Sequence, residues 1–175
     1  PLIESIQLSL KTLQENSDNI SLEERDLPIN YVFIAILAML VPISLTYFGI
    51  IGSWSSAVIL SFVMLIFGFL FSAVAAYMAG VVGSSNNPIS GVTIATILFS
   101  SLLIISFFDI DSSKGAAAAI LIGAVVCCAA AIGGDNLQDL KTGNIVGATP
   151  WKQQLMQLVG VVSAALTLGI VLTLL

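Results

Sequence analysis

Histidine is missing from all 175 residues of this chain, and charge is scarce: Asp, Glu, Lys and Arg together fill only 9% of positions. Without histidine the commonest protein metal ligand is gone, and Ser-His-Asp or Cys-His nucleophile arrangements cannot be built. Soluble domains carry about a quarter charged residues, so a chain with so few has no ordinary aqueous surface to present. Cysteine is confined to Cys127 and Cys128, adjacent in an apolar run, where they read as small hydrophobes and offer no disulfide framework. A Walker-type phosphate loop is absent, so ATP hydrolysis is not expected within this segment. The net charge of −5 comes mostly from residues 1–28 and argues against a nucleic-acid partner.

What the chain has in abundance is apolar side chains, at 58% of positions. Residues 1–28 are the one soluble-looking stretch. Leu2, Ile3, Ile6, Leu10 and Leu13 fall near a period of about 3.6 and predict a short amphipathic helix. "QENSDNISLEERDLP" then reads as a hydrated linker closed by Pro28. Glu4, Glu15, Glu23 and Glu24 rule out a signal peptide here. A chain that begins with Pro1 and carries several spans is expected to be an internal piece of a larger protein.

The remainder, residues 29–175, is expected to be a transmembrane region. A hydrocarbon core of roughly 30 Å needs about 20 helical residues, and five runs meet that length or approach it. They are Asn30–Ile51, with Pro42 as an expected kink, Trp54–Val82, Pro88–Phe108, Gly115–Ile132 and Pro150–Leu175. Strand alternation is lacking, so the expected fold is all-α: a polytopic membrane protein whose spans are joined by polar broken-helix or re-entrant segments. Small residues recur every fourth position at Gly68, Ser72, Ala76 and Gly80, and again at Gly115, Ala119, Gly123, Cys127 and Ala131. Such ladders let helices approach closely where the hydrophobic effect no longer drives association. With five spans, Lys11, Arg25, Lys141 and Lys152 share a side against Lys114 alone. The positive-inside rule then puts the amino end in the cytoplasm.

Two polar segments stand out. In "GSSNNPISG" (Gly83 to Gly91), Gly83 can end one helix while Asn87 caps the next, with Pro88 at its first position. The same residues, with Ser84, Ser85 and Asn86, could instead line a pathway at membrane depth. In "GGDNLQDLKTGNIVGATPWKQQ", Gly133-Gly134 are expected to break the fourth helix. Asp135 would then cap a short helix, with Gln138 completing a capping box. Asp135 and Asp139 nevertheless lie i, i+4 on one face, a repulsive arrangement unless a proton or cation is shared. Thr149-Pro150 reads as another helix start, with Trp151 at an interface. Both segments follow one plan, a Gly, a polar stretch with Asn, then X-Pro opening a helix. Matching interruptions of this kind point to a transporter's site.

"VGSSNNPISGVTIATIL" and "GDNLQDLKTGNIVGATPWKQQ" closely resemble signature segments of the oligopeptide transporter family, which includes the yellow-stripe-like carriers of metal chelates. The likeness runs from "ERDLP" to the end of the chain. It implies a non-enzymatic, proton-coupled secondary transporter of oligopeptides or peptide-like metal chelates, in a prokaryotic, inner-membrane, multi-pass setting. The implied partners are that substrate, protons, the lipid bilayer and the remaining helices of the whole transporter. By position, the substrate or pathway candidates are Ser84, Ser85, Asn86, Asn87, Pro88, Asn136, Gln138, Lys141 and Trp151. Asp139 and Asp135 are the proton-coupling candidates. No cofactor and no metal centre are expected. The competing classes are a channel, a structural membrane subunit, and an intramembrane enzyme resting on the Asp135/Asp139 pair alone.

Overall fold

The computed structural model describes residues 26–174. The expected helix and linker over residues 1–28 lie almost wholly outside these. Five long helices follow in order: α1 (Ile29–Ile51), α2 (Trp54–Val82), α3 (Ile89–Phe107), α4 (Ser112–Val146) and α5 (Pro150–Leu174), with a short 3-10 turn at Ser84–Asn86 between α2 and α3. No strand occurs among the described residues. All five helical segments are long and apolar enough to cross a membrane. In hydrocarbon the backbone must satisfy its own polar groups, and a helix does so within one segment.

The helix ends follow local chemistry. Gly83 closes α2 at φ +89°, donating its N–H to the Ala79 carbonyl. α4 ends in a Schellman arrangement: Gly147 takes φ +76°, Ala148 N–H bonds the Gly143 carbonyl at 2.8 Å and Gly147 N–H bonds Asn144 at 3.4 Å. A left-handed residue at that position is the usual work of glycine. Pro150 then opens α5 as its first residue, where a missing N–H costs nothing. The start expected at Thr149-Pro150 is therefore found.

The chain divides into two compact units. One is Ala35–Gln138, and the other holds the remaining described residues. The first contains the buried core: Tyr47 and Ile51 of α1, Ala57, Leu60, Met64 and Ala75 of α2, Val92 and Ile104 of α3, and Ala118, Ala119, Ile122, Val126 and Ala130 of α4. Five of these thirteen are alanines, three of them on α4, which lets that helix approach its neighbours closely. Hydroxyls inside are satisfied locally, as Thr96 donates to the Val92 carbonyl and Ser100 to that of Thr96. Ser44 donates to Ser61 across α1 and α2 at 3.1 Å.

The small-residue seam of α4 departs from the expected ladder. Gly115, Ala119 and Gly123 are buried, but the seam then continues through Val126, Ala130 and Gly134, not through Cys127 and Ala131. The reason is geometric. Four residues overshoot one helical turn by about 40°, so a strict i, i+4 row winds off the packed face after three steps. Gly123 is the tightest point, because a Cβ there would overlap the Ile97 side chain of α3.

Tyr47 is the largest fully buried side chain, and its hydroxyl donates to the Met64 sulfur at 3.5 Å. That bond is weak, while the ring fills volume. Tyr47→Phe is expected to change thermal stability little. Tyr47→Ala should cost roughly 3 kcal/mol, the low end of large-to-small losses, since lipid replaces water as the reference. Thermal unfolding of the detergent-solubilised protein would decide it, and equal losses in the two variants would contradict this account.

Candidate functional site

The Gly133-Gly134 pair does not break α4. The helix runs unbroken from Ser112 to Val146, so Asp135 lies in its interior and neither caps a helix nor founds a capping box with Gln138. Two glycines cost an exposed helix about 1 kcal/mol each relative to alanine. Here they admit neighbours. A Cβ at Gly133 would stand 2.7 Å from the Ser72 hydroxyl of α2, and one at Gly134 would stand 2.6 Å from the Asn87 amide nitrogen and 3.2 Å from Ala79 Cβ.

Each glycine also bares a carbonyl one turn before it. Ser72 Oγ donates to the Ala129 carbonyl at 3.0 Å, and Asn87 Nδ2 donates to that of Ala130 at 3.2 Å. Side chains at i+4 normally shield such carbonyls from lateral approach, because Cα–Cβ bonds tilt toward the helix amino end. The result is a polar seat in an otherwise apolar helix pair.

Asn87 therefore does not cap α3. Pro88 takes the N-cap position with no side-chain capping bond, and the helix proper begins at Ile89. The exposed Ala130 carbonyl wins the Asn87 amide instead. A carbonyl can face only the NH2 end of that amide, so Oδ1 is turned the other way. It is buried and has no hydrogen-bond partner, a condition that costs about 1–3 kcal/mol. Around it Ser84 is half-buried, while Ser85, Asn86 and Pro88 are exposed. Asn86 Nδ2 donates back to the Val82 carbonyl at 3.3 Å.

The second polar segment belongs to α4's last turns and the start of α5. Lys114 and Asp135 bound an uncharged stretch of about 32 Å of helix, close to the roughly 30 Å of a hydrocarbon core. Asp135 and Lys141 are exposed, and Asn136 is half-buried. Asp139 accepts a hydrogen bond from Gln157 Nε2 of α5 at 3.3 Å. Gln154, also of α5, donates to the Asp26 carboxylate at 3.3 Å and accepts from the Leu27 N–H at 3.2 Å. Gln153 lies against Gly143, where a Cβ would overlap its amide, and its Oε1 is buried without a partner. Trp151 is half-buried, with the Lys152 ammonium 5.8 Å from its ring centre, a cation–π contact. Gln138 engages in a polar contact of its own.

Sequence reasoning missed Gln153, Gln154 and Gln157 as partners of this segment. The signal available was three amides within the first turns of an apolar helix. It also read Ser72 only as a small residue. No group of three or more potential metal ligands occurs among the described residues.

Five membrane-length helices, four of them sharing one buried core, define a polytopic α-helical membrane protein. Residues 4–175 match the family described as OPT oligopeptide transporter protein, and the chain belongs to that family. It is 37% identical to a Haemophilus influenzae protein named "Putative oligopeptide transporter", over the whole of this chain and 30% of that protein's length. The chain thus spans about a third of the curated relative it matches. No solved structure matches it.

Proposed function

We propose that this chain is part of a proton-coupled secondary transporter of oligopeptides or peptide-like metal chelates, in the inner membrane of a bacterium. Family membership across nearly the whole chain carries the transport reading. The geometry adds polar groups held between helices: Asn87 and Ser72 seated on α4, and Asp139 engaged by Gln157. Polar groups such as Asn87 and Ser72 seated among membrane helices are costly to keep and mark pathways. α5 buries no residue within the chain, which fits a face covered by the remaining helices of the transporter.

The test is uptake of a labelled tripeptide by the full-length protein in proteoliposomes. Saturable uptake that collapses with a protonophore supports the proposal, and competition by iron or nickel chelates would extend it to that substrate. Uptake indifferent to the gradient would favour a channel, and no uptake at all a structural subunit. The cytoplasmic placement of the Ser84–Asn86 turn follows from the lysine distribution. Labelling of an Asn86→Cys variant from outside intact cells, in a Cys127/Cys128-free background, would refute that placement.

A further inference from the structure

We propose that the seat of Asn87 on Gly134 is a releasable latch between the α2–α3 turn and α4, one that must open during the transport cycle. The inference rests on the transport reading above but goes beyond it, giving the Asn87 amide a conformational role. Three observations support it. First, the seat is built for close docking, since Gly134 leaves the amide the space that any Cβ would take. Second, among the described residues docking is held by one hydrogen bond from the turn, Asn87 Nδ2 to the Ala130 carbonyl at 3.2 Å, with Ser72 on the Ala129 carbonyl one residue away as a second tether from α2.

Third, the docked state carries its own penalty. Among the described residues Oδ1 of Asn87 is buried without a donor, and undocking would return it to solvent or to another donor, so the contact opposes itself. A purely structural tie would be expected to satisfy both ends of the amide. The turn itself is short, a 3-10 segment entered through Gly83 at φ +89°.

Cross-linking separates a latch from a fixed strut. A Cβ at position 134 would stand 3.6 Å from Asn87 Cγ, about where the sulfur of a cysteine at position 87 would sit, which brings the two thiols within reach of each other. An Asn87→Cys/Gly134→Cys pair is therefore placed in the full-length protein after replacing Cys127 and Cys128 by Ala. Oxidation is expected to lower tripeptide uptake at least about tenfold, and reduction to restore it, which excludes misfolding as the cause. Undiminished uptake by the fully cross-linked protein would overturn the proposal.

A second arm needs no transport assay. Ala79 flanks the seat and is only 2% exposed, so an Ala79→Cys thiol reacts with a maleimide only when the seat opens. The purified full-length protein should label slowly, and Asn87→Asp, whose ionised carboxylate cannot donate to Ala130, should label roughly tenfold faster. No labelling in either protein, with normal folding, would mean a static contact. Should unmodified protein fail to transport any substrate, the transport reading falls, while the labelling still decides whether the seat opens.

Discussion

Asp139→Asn is expected to abolish gradient-driven uptake by the full-length transporter while sparing exchange of substrate at equal pH on both sides. Asparagine keeps the size of the side chain and an oxygen that can accept the Gln157 Nε2 hydrogen bond now made at 3.3 Å. What it removes is the titratable group. The local structure should therefore survive, and the loss should fall on proton coupling alone. Asp135 is the matched control. It lies one turn earlier on the same unbroken helix and, like Asp139, is exposed. The capping role that its sequence context suggested is excluded by the continuity of α4. Asp135→Asn should retain most of the coupled uptake. Normal accumulation by Asp139→Asn together with failure of Asp135→Asn would reverse the assignment, and normal accumulation by both would place the proton site elsewhere in the transporter.

Gly134→Val should lower the stability of the solubilised protein by about 2–4 kcal/mol, adding overpacking to the loss of a buried hydrogen bond. The Cβ alone would stand 3.2 Å from Ala79 Cβ, which α2's backbone holds in place, and 2.6 Å from the Asn87 amide. Asn87 can retreat only by leaving the Ala130 carbonyl. Gly143→Ala provides the contrast. There the atoms nearest a Cβ all belong to the amide end of Gln153, a long side chain that can swing aside and whose buried oxygen has no bond to lose. Its cost should stay below about 1 kcal/mol, partly offset by the better helix propensity of alanine. Thermal unfolding followed by thiol exposure measures both, and similar shifts in the two variants would contradict the seat as described.

Much of the architecture was legible because it depends on single segments. An apolar run of about 20 residues must be helical in hydrocarbon whatever surrounds it, and the five expected spans appear as α1 to α5. Gly83 ends α2 and Pro150 starts α5 for reasons contained in their own backbones. The likeness of the two polar segments to a known family also needed no coordinates, and the match over residues 4–175 bears it out.

The tertiary structure alone decided what depends on a neighbouring helix. Taken locally, Gly133-Gly134 means a break and Asp135 a cap. Packed beside Ser72, Ala79 and Asn87, the same glycines are sockets, because contact with α2 and the turn offsets their poor propensity and keeps α4 continuous. Asn87 illustrates the competition most directly. Its side chain could bond the start of α3, yet it bonds Ala130, 43 residues away, since only folding brings that bared carbonyl within reach. The drift of the α4 seam from Cys127 and Ala131 to Val126 and Ala130 has the same origin. Periodicity proposes a face, but the positions of α2 and α3 choose which arc of the helix is covered. The bond from Gln157 to Asp139 likewise spans the turn between α4 and α5, and sequence spacing carries no information about side chains that meet across such a turn.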